Sequence, residues 1–227
     1  MNTDKEELII PFEEIKNNKE INTYITQANA SLSAMGFTEH SFGHVTICVE
    51  IVKEVLTKLG YSKRDINLGQ IAAYMHDIGN VVNRHYHAQT GAVMAFRILD
   101  NLGMMVEDIA TIVTAIGNHD DSTAYPVNAI TAALILADKT DVRRSRVGKK
   151  DRSVFDIHDR VNYAVEKSWV ELNIDRLTFT LNIVIDTDIC SVMDYFEIFL
   201  DRMLLCKKAA KVLGLEFKLI VNDLEVI

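Results

Sequence analysis

The chain has 227 residues, 48% of them hydrophobic and 25% charged, enough for one sizeable core or a main domain with a small appendage. Its 24 basic and 32 acidic residues give a formal charge of -8, which argues against the broad basic face that duplex nucleic acid needs while leaving room for a compact phosphate pocket. Cys48, Cys190 and Cys206 are odd in number, widely spaced and set among apolar residues, so they read as reduced core thiols. The first seven residues carry no basic stretch leading into an apolar one, and no run approaches a membrane span. The expectation is a cytoplasmic, unanchored protein.

In chain order, Pro11 opens a short helix, its fixed φ suiting the first helical position. A second helix carries Ile21, Tyr24, Ile25, Ala28, Leu32 and Met35 at three- and four-residue steps up to Gly36. Val45, Cys48, Val49, Val52, Val55, Leu56 and Leu59 mark a third, stopping at Gly60, with His44 in its first turn or two. Ser62 and Asp65 form a capping pattern for a fourth, whose stripe of Leu68, Ile71, Ala72 and Met75 leads to His76-Asp77 before Gly79 and Asn80. Neighbouring helical residues point ~100° apart, so His76 and Asp77 converge on one object only near a helix end. They stand at such an end.

A fifth helix is expected over 83–101, with Gly103 as its stop. Gly91 lies one turn beyond His87 and costs about 1 kcal/mol of helix propensity, which points to a backbone or ligand pressed against it. Val106, Ile109, Ala110, Val113 and Ile116 form a sixth, ending before His119-Asp120-Asp121. A seventh, through Val127, Ile130, Ala133, Leu134 and Ala137, delivers Asp138 near its end. The basic run 143–152 reads as an exposed loop. Ile157, Val161, Ala164, Val165 and Trp169 suggest one more helix. The pattern then changes to a strand over 177–185, a long helix over 190–213 and a strand through Leu215, Phe217, Leu219 and Val221. This strand-helix-strand tail shows no chemistry of its own.

Imidazole nitrogens and carboxylate oxygens together suit divalent ions such as Fe, Mn, Zn, Co or Ni. His44, His76, Asp77 and Asp138 supply one set; His87, His119 and Asp120 offer a second. Asp77 has two oxygens and can bridge two ions. Two metals ~3.5–4 Å apart activate a hydroxide and clamp a phosphoryl group during in-line displacement.

The ordered signature His44, His76-Asp77, Asp138 resembles that of the HD-domain metal-dependent phosphohydrolases, with the likeness running from about Gly36 to Trp169. The resemblance implies a mainly α fold, an HD-domain helical bundle over 1–172 (core about 36–169), here followed by a small α+β extension over 173–227. It also implies hydrolysis of a phosphate ester or anhydride of a nucleotide or similar small molecule. His87-Ala88-Gln89-Thr90-Gly91 is similar to the His-x-x-x-Gly of the multi-histidine branch that includes HD-GYP domains, and His119-Asp120-Asp121 to its His-His-Glu. Asn80 stands where that branch has lysine, Asp120 replaces a histidine, and the Gly-Tyr-Pro motif is absent. His40 sits where some relatives carry a glutamate, and is either a further ligand, a partner to one, or a plain cap.

The expected site therefore has His44, His76, Asp77, His87, His119 and Asp138 holding two divalent ions (Fe, Mn, Zn, Ni, Co or Mg), with Asp120 and His40 as further candidates. Asp77 is the catalytic bridge. With Asn80 in the lysine position, protonation of the leaving group falls to a metal-bound water, Lys139 or Arg143. Arg143 and Arg144 either meet the substrate phosphate or belong to a solvated loop. His85 reads as a surface or substrate-contact residue, and His158-Asp159 as structural. The expected partner is a small phosphorylated substrate of the nucleotide or cyclic dinucleotide class, with no membrane, and the tail, if its sheet edge is open, offers a surface for a homodimer or another partner. Two other functions stay open: a nucleotide-sensing module that keeps the metal without turnover, and a diiron oxygenase.

Overall fold

The computed structural model describes residues 9–121, 123–148, 153 and 155–227; the first eight residues and the 149–152 part of the basic run lie outside the described residues. Helix α1 (Phe12–Lys16) begins directly after Pro11, and α2 (Lys19–Ala34) is capped by the Asn18 side chain, which accepts from the Glu20 and Ile21 amides. In α3 (Phe42–Lys58) the Ser41 hydroxyl accepts from the Gly43 amide, and His44, Val45, Cys48, Val49, Val52, Val55 and Leu56 form the buried face. The Ser62 cap holds as read, starting α4 (Lys63–Met75). Two residues later a single 3-10 turn, Ile78–Val81, bends the chain away.

Helix α5 (His87–Asn101) starts four residues later than its periodicity suggests. Tyr86 adopts a left-handed backbone (φ 60°), and the Asn83 side chain accepts from the His85 amide, so a turn replaces the first predicted helical turn. Helices α6 (Val106–Gly117) and α7 (Ala129–Thr140) follow, α7 being buried nearly all round. It packs against α3, α4 and α6.

The helix expected through Trp169 ends at Ala164. Helix α8 (Ile157–Ala164) passes straight into strand β1 (Val165–Asn173), which pairs antiparallel with β2 (Thr178–Ile185). Helical spacing of apolar residues persists across this junction by coincidence, and only the cross-strand ladder reveals the strand. Strand β2 runs parallel to β3 (Glu216–Val221) across helix α9 (Val192–Val212), and the two-residue β4 (Leu224–Glu225) closes the order β1-β2-β3-β4. Helix α9 packs on β3 and on α7, so it links the small sheet to the helix that carries Asp138. Among the described residues no helix is long and apolar enough to cross a membrane.

Candidate metal centre

Four histidines come from four different helix boundaries. His44 is in the first turn of α3, His76 ends α4, His87 opens α5 and His119 follows α6. All four are essentially buried, at 0%, 0%, 2% and 1% exposure. In each, Nδ1 has a partner outside the cluster. His76 Nδ1 lies 2.8 Å from Ala73 O, His87 Nδ1 3.0 Å from Arg84 O, and His119 Nδ1 2.6 Å from Ile116 O, while His44 Nδ1 is 2.7 Å from Asp141 Oδ2. A carbonyl or carboxylate at Nδ1 calls for the proton there, so that in the neutral ring Nε2 is the free lone pair.

Those lone pairs meet. His44 Nε2 is 3.3 Å from His76 Nε2, and His87 Nε2 is 3.3 Å from His119 Nε2. Asp77 stands between the pairs. Its Oδ2 is 3.3 Å from His76 Nε2 and 3.8 Å from His44 Nε2, and its Oδ1 is 3.4 Å from His87 Nε2 and 3.9 Å from His119 Nε2. Asp138 Oδ1 completes the first pair, 3.2 Å from His44 Nε2 and 3.8 Å from His76 Nε2. Asp77 Oδ2 is buried and has no hydrogen-bond partner among the described residues. Facing lone pairs around an orphaned buried carboxylate oxygen are costly by themselves, and a cation relieves both. The donor set fits divalent metal in overlapping groups around Asp77: Asp77, His87 and His119 form one, His76, His119 and Asp138 a second, and His44, Cys48 and His76 a third.

Glycines make the second side reachable. A Cβ on Gly79 would lie 2.0 Å from His87 O and 2.5 Å from Gly91 N, and one on Gly91 would lie 3.2 Å from Gly79 N. The turn after Asp77 and the start of α5 thus touch backbone to backbone, which brings His87 within reach of Asp77. Gly91 answers to the close neighbour its helical position suggests.

Other side chains hold the ligands. Asn80, fully buried, donates its Nδ2 to Asp77 Oδ1 at 2.9 Å and to Asp77 O at 3.0 Å. Lys139 Nζ lies 2.6 Å from Asp138 Oδ2 and 3.0 Å from Asp121 Oδ1. Burial pulls its pKa down, yet Asp138 and Asp121 outweigh that and raise it. Asp77 is held well below the usual carboxylate range although burial opposes this, chiefly by His76; for Asp138 the same balance is won by Lys139. Asp120 Oδ1 reaches to 3.8 Å of His87 Nε2. His40 gives its Nδ1 to Thr38 O and sets its ring edge-on to that of His44, with centroids 5.5 Å apart.

Two expected phosphate contacts sit elsewhere. Arg143 donates to Asp141 through Nε (2.5 Å) and Nη2 (3.1 Å), so it orders the carboxylate behind His44 rather than facing the cluster. Arg144 donates to Tyr163 O and lies over the Tyr163 ring at 4.7 Å. His85 is exposed. The cations that line the recess over Asp77, His87 and Asp138 are instead Arg84, Lys139, Arg146 and Arg202. Arg202, on α9, brings one residue of the tail to this recess. Asp159 has the structural role read for it, closing the capping box at the start of α8 with Asp156, and together with His158 it lines a larger cavity of about 220 Å³ next to the recess. Asp141 escaped sequence reading although it is three residues past Asp138, because its role depends on a contact with His44 across 97 residues.

The family model of the HD domain matches residues 37–146. An uncharacterized protein of Methanocaldococcus jannaschii is 22% identical, over 69% of each chain. A solved structure, a predicted HD superfamily hydrolase from an uncultured Thermotogales bacterium, is 22% identical with a TM-score of 0.44, covering 55% of this chain and 68% of that one. HD domains bind divalent metals, and the stretch matched by the family model holds every one of the ligand candidates His44, His76, Asp77, His87, His119 and Asp138. The match to the HD domain thus spans residues 37–146, just under half of the chain.

Proposed function

We propose that the protein is a phosphohydrolase that cleaves a phosphate ester or anhydride of a small molecule, a nucleotide being the leading class, with two divalent ions astride Asp77. The observation that carries this reading is the division of the Asp77 carboxylate, Oδ1 toward His87 and His119, Oδ2 toward His44 and His76. Ions bound there supply Lewis acidity toward a phosphoryl oxygen and lower the pKa of water. The chain's own residues do the rest. Asp141 and three backbone carbonyls hold the imidazoles in one tautomer, Asn80 and Lys139 fix the two carboxylates, and the arginines around the recess favour a ligand that brings negative charge.

Lys139 serves as a positioning residue in this scheme: buried between two carboxylates with a raised pKa, it is a poor proton donor. Arg143 leaves the catalytic set for the same geometric reason that it leaves the phosphate set. The cavity also narrows the substrate. At about 220 Å³ it lies below the ~300–1,000 Å³ typical of sites for drug-sized ligands, which favours a small monoester or mononucleotide over a cyclic dinucleotide.

The test is metal analysis together with turnover of a generic phosphodiester and a nucleotide panel, for the native protein, His76→Ala and Asp77→Ala. Loss of metal and of turnover in both variants is expected; unchanged metal content and activity in both sinks the assignment. A second reading, a metal-holding module that senses a nucleotide without cleaving it, is favoured by Asn80, which is committed to Asp77 and offers no acid where the related branch has lysine. Tight nucleotide binding without product under saturating Mn or Fe selects it.

A further inference from the structure

Four cations surround the recess, and two of them are spent. Lys139 is held between Asp138 and Asp121. Arg146 gives Nη1 to Asp141 O at 2.8 Å and Nε to Glu39 O at 3.0 Å, with Asp141 Oδ2 at 3.8 Å. Arg84 differs: its polar partners among the described residues are neutral, Asn80 Oδ1 at 3.4 Å and the His87 ring at 3.3–3.4 Å. Arg202 gives Nε to Asp121 Oδ2 at 2.8 Å and lies over the Phe199 ring at 4.9 Å, but Asp121 is the carboxylate already shared with Lys139. Of the four, Arg84 faces the recess without a carboxylate partner among the described residues, and Arg202 shares its carboxylate with Lys139.

The shape of the space says where that charge acts. The recess over Asp77, His87 and Asp138 measures about 20 Å³, room for about one water and too little for a phosphate. Beside it lies the 220 Å³ cavity, walled by Phe37, Asn162 and Phe199 among others. Four residues line both spaces: His40, Arg84, Arg146 and Arg202. A phosphate presented to the recess with its organic half in the larger cavity must therefore sit at a junction where three of the four shared walls are arginines.

We infer that Arg84 and Arg202 form a two-sided clamp for the substrate phosphate, one jaw from the HD domain and the other from the C-terminal extension. This rests on the phosphohydrolase reading for its substrate but not for its binding chemistry. Guanidinium forks match phosphate oxygens two at a time, and Arg202 Nε is engaged with Asp121 so that the fork is held at a fixed angle. Arg202 lies outside residues 37–146, so the HD domain alone lacks half of the clamp.

Inorganic phosphate is the probe, its dissociation constant measured calorimetrically on full-length, Mn-loaded protein, with metal content and Tm followed in parallel. Arg84→Ala and Arg202→Ala are each expected to weaken phosphate binding about tenfold or more, the loss of one charge-assisted pair, with metal content unchanged. Arg202→Lys, which keeps the charge and loses the fork, falls between. Asp121→Asn removes the competing charge but keeps an amide oxygen to accept from Arg202 Nε and hold the fork, and binds phosphate no more weakly than the native chain. Native protein that fails to bind phosphate, an Arg202→Ala protein that binds it as tightly as native, or an Asp121→Asn protein that mimics Arg202→Ala overturns the clamp. Should Arg202→Ala not fold, Arg202→Lys decides, native-like affinity being the overturning result. Arg202-dependent phosphate binding without turnover of any ester leaves the clamp standing and removes the phosphohydrolase reading; turnover with an unchanged KM in Arg202→Ala does the reverse.

Discussion

His87 Nε2 and His119 Nε2 face each other at 3.3 Å while each ring gives its Nδ1 proton to the backbone, at Arg84 O and Ile116 O. Two lone pairs at that distance repel unless something positive lies between or beside them; Arg84 Nη1, 3.3 Å from His87 Nε2, offsets part of this on one side, and a cation between the rings relieves the whole. His44 and His76 repeat the relationship on the far side of Asp77, with Asp141 and Ala73 O as the Nδ1 partners. The symmetry of the two pairs about one carboxylate is what separates this cluster from a set of buried structural histidines, and it carries specific consequences for metal content.

His119→Ala is expected to release one ion and leave the other, His44→Ala to release the other, and Asp77→Ala to lower both. Metal-to-protein ratios by plasma mass spectrometry after gel filtration check this. Equal ratios in His119→Ala and native protein would remove the second site.

Asp141→Asn keeps the shape of the side chain and loses the charge that holds His44 Nδ1 at 2.7 Å. A change in such a supporting partner typically costs ~10–100-fold in metal affinity or activity. Competition with a chelator of known affinity measures it, and the loss should fall on the His44 side alone. Native-like affinity would show that Asp141 merely fills space.

Gly79→Ala puts a methyl group 2.0 Å from His87 O and 2.5 Å from Gly91 N, both backbone atoms. Relief requires α5 to move off the turn. We expect a stability loss of at least about 1–3 kcal/mol, the range for overpacking, together with loss of the ion held by His87 and His119. Denaturant melts and metal analysis read the two effects separately, and a stable variant with native metal content refutes the argument.

Acid should weaken the metal-free fold. Burial, reinforced by His76, pushes His119 down to about 3; burial and then Arg146 lower His40, and burial lowers His87 against the pull of Asp77. A histidine whose folded pKa is depressed binds its proton more readily when unfolded, so its contribution is present above about 6.5 and is lost as pH falls toward the folded value. Asp77 and Asp138, held low by His76 and Lys139 against burial, add the same sign below about 4. His76 opposes: burial pulls it down, but Asp77 and Asp138 raise it, so its contribution is present below about 6.5 and fades as pH rises. Between pH 6.5 and 4 the His76 contribution is constant and the three lowered histidines set the slope, so the Tm of chelator-treated protein should drop over that interval. A flat or rising Tm over that interval contradicts the balance.

Much of the architecture was legible in the chain. Helical periodicity, the Ser62 cap and the glycine stops located α2, α3, α4, α6 and α7 to within a few residues, because those signals act over one or two turns. The failures came where the deciding contact is distant or local strain intervenes. Strand β1 exists because β2 offers it a ladder, from Val165 opposite Ile185 to Asn173 opposite Thr178. The late start of α5 follows from the left-handed backbone at Tyr86.

The site divides the same way. By itself the sequence determined which residue types are present, their order His, His-Asp, Asp, and their placement at helix ends, since these are properties of short segments. Only the tertiary structure decided which histidines pair, which oxygen of Asp77 faces which pair, that Asp141 and not Asp138 orients His44, and that Arg143 and Arg144 turn away. Arg202 reaches Asp121 across 81 residues of sequence, a distance over which no periodicity or motif reports. Long-range packing of α9 on α7 brings it there, and that packing is set by the fit of two buried faces rather than by any local pattern.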